Sequence, residues 1–310
     1  MEQNIYDLII IGAGPAGLTA SIYASRYKMR NMVIGSLPGG TISEAWIVEN
    51  FPAFNQIPGA ELAQRMYEHA KELGAEMILD DVKDVSREDR FFRITITEGK
   101  EYLAKNILIA TGSQARRLNL PGEEKYLGKG IVYCATCDAY FFKGKTVAIV
   151  GAANSAITAA LLLSTLADKV YLIYRSENLK ADPVWVDKVK ADAKITLIAN
   201  TNISGLAGEN KLEKIILDKP YNNSTELAVD GLFIEIGVVP NTVLTNKIGV
   251  KVDEKGYIVV DGAQATNVPG VWAAGDITNN SNNLHQVITA CAEGAVAANA
   301  IFLSKERGAV

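Results

Sequence analysis

The feature that most narrows the folds open to this chain is an apolar run that ends abruptly in glycines. Asp7-Leu8-Ile9-Ile10-Ile11 leads into Gly12-Ala13-Gly14-Pro15-Ala16-Gly17, and helix-forming residues continue through Tyr27. Strand, tight turn and helix in that order predict the first unit of a parallel α/β sheet, the unit that binds dinucleotides. The three glycines have separate tasks: Gly12 makes the turn, Gly14 lets the backbone approach a pyrophosphate, and Gly17 lets helix and strand pack closely. The phosphates would rest on the helix N-terminus, where unpaired N–H groups and the helix dipole favour negative charge. The next strand, residues 31–34, ends in Gly35-Ser36 and not in the acid that usually holds a ribose. Ser36 is placed to replace that contact.

The unit is repeated. Thr146-Val147-Ala148-Ile149-Val150-Gly151-Ala152-Ala153-Asn154-Ser155-Ala156 aligns with residues 7–17, and a helical run and a strand over 169–174 follow. A chain of 310 residues exceeds the size at which one core stops growing, so two nucleotide-type domains are expected. With 48% hydrophobic and 21% charged residues the composition is that of a globular protein, and a net charge of −4 leaves no basic footprint for nucleic acid. Met1-Glu2-Gln3-Asn4 carries no basic leader, and no run reaches the roughly 18 apolar residues of a membrane span. A cytoplasmic protein with no membrane partner is expected.

Between the two units stands Cys134-Ala135-Thr136-Cys137-Asp138. Two cysteines at this spacing can close a small disulfide ring, open it, and so carry two electrons. No metal is expected, because only Cys291, His69 and His285 remain as soft ligands. Cys291 has no partner in sequence and reads as a small packing residue. The pattern over 60–74 predicts an amphipathic helix with Leu62, Met66, His69 and Leu73 on one side. Alternation over 82–102 predicts half-exposed antiparallel strands, followed by a buried strand at 106–109 that ends in Ala110-Thr111-Gly112. Residues 116–130 are polar, contain proline and glycine, and read as a linker. Further strands are expected over 195–199, 212–217, 231–236 and 257–260, with a second hinge at 237–241. The strand 271–274 runs into Gly275-Asp276, and an alanine-rich helix covers 286–305.

This constellation, with its glycine loop, Ala-Thr-Gly turn, CxxCD element, second nucleotide unit and Gly275-Asp276, resembles the low-molecular-weight thioredoxin reductases along almost the full chain. The resemblance implies an α/β flavoprotein of two Rossmann-like three-layer nucleotide-binding domains, the second inserted into the first. The FAD domain would comprise 1–114 and 242–310, and an NAD(P)H-type domain carrying CxxC would comprise 115–241. Gly12, Gly14, Pro15, Ala16 and Gly17 would hold the pyrophosphate of FAD. Ser36, Gly40, Thr41, Asn50 and Val82 would lie along the cofactor, as would Ala110, Thr111 and Gly112. At its flavin end the resemblance implies Gly275, Asp276, His285, Gln286 and Val287, with the dipole of the last helix favouring the charge of reduced flavin. It makes Cys137 the sulfur beside the flavin, Cys134 the sulfur that attacks the substrate disulfide, and Asp138 the acid and base. The protein substrate would be thioredoxin, the assembly a homodimer, and the inserted domain would turn about hinges near Arg116 and Pro240.

The second unit departs from the family where NADPH should bind. Members usually carry a second glycine where Ala153 stands, an acidic pair at Ile157-Thr158-Ala159, and a His-Arg-Arg run with a further arginine; here these are Tyr174-Arg175-Ser176 and Lys180. The Ala153 methyl intrudes on a pyrophosphate, and only Arg175 remains as a fork for a 2′-phosphate. NADH gains nothing, because no acid ends the strand. The expectation is therefore that tight NADPH binding is lost and that reduced ferredoxin is the electron donor. The alternatives are an NADPH-dependent reductase with an atypical nicotinamide site and, in another class, a non-enzymatic flavin or metal-binding module with a structural CxxC.

Overall fold

The computed structural model of the chain describes residues 5–306; residues 1–4, read above as lacking a leader, lie outside them. The chain divides into two compact units, Met1–Gln114 with Pro240–Val310, and Ala115–Val239. The first opens with β1 (Ile5–Ile11), α1 (Pro15–Arg26), β2 (Asn31–Ile34), α2 (Gly59–Glu72) and β3 (Glu76–Ile78). It continues with β4 (Val82–Glu88), β5 (Phe91–Ile96) and β6 (Glu101–Ile109). The strand order is β3-β2-β1-β6-β5-β4, with β1 parallel to β2 and β6, and β5 antiparallel to β4 and β6. β6 serves both patterns: its first half pairs with the half-exposed β5, and its second half runs buried beside β1. That is why the sequence showed alternation giving way to a continuous apolar run.

β7 (Ser113–Ala115) spans the boundary, and the second unit follows through β8 (Ile131–Val132), the short helix α3 (Ala135–Asp138), β9 (Thr146–Val150), α4 (Asn154–Ser164) and β10 (Lys169–Ile173). Then come α5 (Pro183–Ala191), β11 (Ile195–Ile198), β12 (Ile203–Ala207), β13 (Lys214–Tyr221), β14 (Ser224–Ala228), β15 (Gly231–Ile234) and β16 (Val238–Pro240). A parallel sheet of order β11-β10-β9-β15-β8 forms one layer, and the antiparallel β12-β13-β14 forms another. β12 and β14 were not expected; they are short, half-exposed strands with little apolar alternation. The chain then returns to the first unit, where β17 (Val271–Ala273) adds in parallel to β6 and α6 (Val287–Glu306) closes the fold.

Four expectations are corrected. Residues 116–130 are not a loose linker: Leu118, Leu120 and Leu127 pack on the core of the second unit, and Glu123 and Tyr126 are buried in it. Residues 257–260 form no strand; Ile258 makes only isolated bridges to Val252 and Thr278. The buried face of α2 runs through Leu62, Ala63 and Ala70, while Leu73 is exposed; His69 is at the surface, as a boundary residue would be. The window Val287–Ser304 of α6 has a mean hydropathy of 1.6, long and apolar enough to cross a membrane by composition. Here one face of it packs into the core, with Ala290, Ala297, Ala298 and Ile301 buried, and a methyl added at Gly294 would overlap the Ala16 carbonyl of α1.

Candidate active site

The glycine loop is built by close backbone approach. Gly12 has φ +117°, and a methyl there would overlap the Ala110 carbonyl; a methyl at Gly17 would overlap the Gly12 carbonyl. Both positions therefore exclude larger residues on steric grounds. Gly14 differs: it is the extended N-cap of α1, Pro15 occupies the first helical position, and a methyl on Gly14 would meet nothing within 4 Å. The space over Gly14 is the open approach a pyrophosphate requires. Gly40, with φ +58°, borders it, since its added methyl would come within 3.0 Å of the Gly14 Cα. Thr41 follows Gly40 in a one-turn 3₁₀ helix, and Gly39 N–H donates to the Ala13 carbonyl at 2.8 Å. Ala16 is buried under the loop.

The same end of the sheet carries the rest of the candidate cofactor residues. Ala110 N–H donates to Ile11 O at 2.7 Å, Thr111 Oγ1 donates to Asn241 O at 2.9 Å, and Gly112 takes φ +61°. Asn50 Nδ2 donates to Gln286 Oε1 at 2.9 Å, just before Val287 begins α6. Val82 opens β4. Ser36 is already engaged, its Oγ donating to Asp81 Oδ1 at 2.7 Å.

Gly275, with φ +84°, packs on Ala16, and Asp276 follows it, half-buried. Burial pushes the Asp276 carboxyl above its usual range, the neighbouring Glu293 charge adds to this, and His285 opposes it. Asp276 caps no helix: the 3₁₀ turn that comes next, Ser281–Asn283, is capped by Asn280. The sequence reading missed Glu293. It is 5% exposed, and it accepts from Gly275 N–H (2.8 Å), Thr278 Oγ1 (3.0 Å) and Ser281 Oγ (2.5 Å), clamping the turn that presents Asp276. The signal for it was an acid set among alanines in the middle of an apolar helix. His285 stands against the Tyr257 ring, and its buried Nε2 has no hydrogen-bond partner among the described residues.

An open glycine loop, an acid with no hydrogen bond of its own among the described residues and an orphaned imidazole nitrogen fit a flavin dinucleotide. Gly12 to Gly17 would hold its pyrophosphate, and Asp276 would accept from its hydroxyl groups.

In the second unit, Cys134 and Cys137 form a disulfide, with Cα atoms 5.4 Å apart. Cys134 caps α3, its sulfur accepting from Cys137 N–H at 3.2 Å, and Asp138 ends the same turn with its N–H on Cys134 O. Cys137 is exposed and Cys134 half-buried. The approach to Cys134 is held by Tyr133, whose hydroxyl donates to the buried Glu123 carboxylate, which also accepts from Leu120 N–H at 3.1 Å. Burial and this carboxylate push the Tyr133 phenol far above its ordinary value. Tyr140 and Phe141, just after the pair, are 72% and 70% exposed. Cys291 is a free, half-buried thiol whose pKa burial raises.

The second glycine loop differs from the first at four of its six positions, and Ala153 stands where the first has Gly14. Ala153 is the N-cap of α4 with the extended backbone of Gly14, so its methyl projects where the first loop is open. The loop is tied to the segment before α5, with Lys180 N–H donating to Ala152 O and Asp182 N–H to Asn154 Oδ1, both at 2.8 Å. Ser176 Oγ turns back onto Asn178 O, and Ile157 and Ala159 are buried. At the position of Ala153 the second loop is narrower by one methyl than the first.

The model of the pyridine nucleotide-disulphide oxidoreductase family matches residues 6–294. The thioredoxin reductase of Listeria innocua is 38% identical over 96% of this chain and 92% of its own. The solved thioredoxin reductase of T. acidophilum has a TM-score of 0.91 at 34% identity, covering 98% of this chain and 100% of its own. A ferredoxin-flavin thioredoxin reductase from Clostridium acetobutylicum has a TM-score of 0.53 at 31% identity, covering 98% of this chain and 99% of its own. The chain belongs to the pyridine nucleotide-disulphide oxidoreductases. Within them it belongs to the low-molecular-weight thioredoxin reductase class, and it is a flavin-dependent disulfide reductase.

Proposed function

We propose that this chain reduces the disulfide of thioredoxin at Cys134, with reduced ferredoxin as its electron donor in place of NADPH. The disulfide at Cys134 and Cys137, set beside two exposed aromatic side chains, carries the thioredoxin half of the reading. Exposed Tyr140 and Phe141 offer a protein substrate an apolar contact at the reacting sulfurs. Bound FAD would supply the electron pair that opens the disulfide to two thiols. Cys134 as thiolate then attacks one sulfur of the thioredoxin disulfide, expelling the other as a thiolate that takes up a proton. Cys137 attacks Cys134 in the resulting mixed disulfide, closing the ring and releasing the second thioredoxin thiol. Asp138, one residue from Cys137, is placed to hold and return the protons.

The ferredoxin half is carried by the methyl of Ala153, standing where the first loop leaves room for phosphate. The ferredoxin-flavin enzyme of C. acetobutylicum supports it as a relative 31% identical over almost the full chain. Exposed Ile288, Val296 and Leu303 form an apolar stripe on α6, on which we place self-association into a homodimer. A single species of one chain's mass in sedimentation velocity would refute that assembly.

Thiol exchange is tested without the donor. The chain is reduced with dithiothreitol, desalted and mixed with oxidised thioredoxin. Cys137→Ser accumulates a mixed disulfide seen by mass spectrometry, and Cys134→Ser does not. The opposite pattern would exchange the two roles.

A further inference from the structure

The end of β2 lacks an acid, and the structure shows what stands in its place. Gly35 follows β2, and a methyl there would come within 2.6 Å of Ala13 N, so this strand end lies in backbone contact with the glycine loop. β2 and β3 are parallel, with Ile34 opposite Ile78, and Gly35 N–H continues the ladder to Ile78 O at 3.0 Å. The chain leaving β3 therefore runs beside Ser36, and Ser36 Oγ donates to Asp81 Oδ1 at 2.7 Å. Asp81 is held on its backbone: its carbonyl accepts from Thr97 N–H (2.9 Å) and Thr97 Oγ1 (3.1 Å), and its N–H donates to Asp80 Oδ1 (2.7 Å). Its second carboxylate oxygen has no hydrogen bond among the described residues, and both side chains are exposed at the carboxyl ends of parallel strands, where open α/β sheets bind ligands.

We propose that Ser36 and Asp81 act as one unit that recognises the adenosine ribose of the bound dinucleotide, the third strand supplying the carboxylate that the second lacks. The inference rests on the FAD reading above and deepens it. The hydroxyl hydrogen of Ser36 is committed to Asp81, so the pair presents only lone pairs and one negative charge. That set accepts from a free 2′,3′-diol and repels a 2′-phosphate. Asp81 is thus a specificity-determining residue for an adenine dinucleotide with an unmodified ribose. A flavin mononucleotide, lacking the adenosine, gains nothing from it.

The test is a fluorescence titration of flavin-stripped protein with FAD and, separately, with FMN, for the wild type, Asp81→Asn and Ser36→Ala. Thermal melts confirm that each variant folds. Asp81→Asn is expected to weaken FAD about tenfold, the loss of one charge-assisted hydrogen bond, and to leave FMN affinity unchanged; Ser36→Ala should weaken FAD by less. Unchanged FAD affinity in Asp81→Asn overturns the proposal. So does an equal loss for FAD and FMN, which would make Asp81 a support of the loop and not a reader of ribose. A wild type that binds neither flavin removes the FAD reading itself, a separate failure.

Discussion

At the position where the first glycine loop has Gly14 the second has Ala153, whose methyl stands where the first loop is open. Gly14 and Ala153 share an extended backbone at a helix N-cap, so the difference is steric and local. The acid at the other end of the cofactor site is tuned by burial. Asp276 lies half-buried, and its carboxyl titrates above the ordinary range chiefly because desolvation penalises the anion. Its folded pKa exceeds its unfolded one, so it stabilises the fold fully below the unfolded value and loses that contribution as pH rises through the folded value. Asn has no proton to lose. In flavin-free protein Asp276→Asn should therefore melt with the wild type at acid pH and above it at neutral pH, with the gap opening as Asp276 ionises. A constant gap across the pH series in thermal melts would remove this account.

At the scale of elements, α6 does more than fill the core. Its Glu293 reaches back to Gly275, Thr278 and Ser281, so the helix sets the turn in which Asp276 sits. Glu293→Ala leaves three donors without their acceptor, which costs about 3 kcal/mol in the first unit. Glu293→Gln keeps one acceptor oxygen and should cost less. Denaturant unfolding of flavin-free protein checks both; equal stability of the Ala variant and the wild type would mean that the turn holds without the clamp. In the second unit, the Glu123 and Tyr133 pair plays a comparable part, fixing the strand end that leads into Cys134.

For the whole molecule, two units have separate cores, with the candidate flavin residues in one and the disulfide in the other. The donor question belongs to this scale, because it asks what the second nucleotide fold still does. Mixed anaerobically with NADPH at micromolar concentration, the holoprotein should keep its flavin absorbance, whereas reduced ferredoxin should bleach it and restore thioredoxin reduction. Rapid bleaching by NADPH would establish the nicotinamide route and sink the ferredoxin one.

Much of this was legible in the sequence because backbone geometry writes itself into residue type. Gly12 and Gly17 are glycines because a carbonyl occupies the place of their side chains, and the ends of β1 and β6 and all of β9 are apolar because layers packed on the sheets bury both faces. Repetition of one strand, turn and helix at residues 146–156 likewise needed no coordinates. What the sequence could not contain was who meets whom across the chain. Ser36 and Asp81, Glu293 and Gly275, and Glu123 and Tyr133 are joined by strand order and helix packing. The segment 116–130 looked like a linker because its three leucines are spaced by polar residues, and only packing showed them converging on one core. By itself, then, the sequence determined the two nucleotide folds, the redox pair and the altered second loop, all of them local patterns. Tertiary structure decided which acids stand at the candidate cofactor site, because a carboxylate's surroundings depend on the donors that folding brings to it.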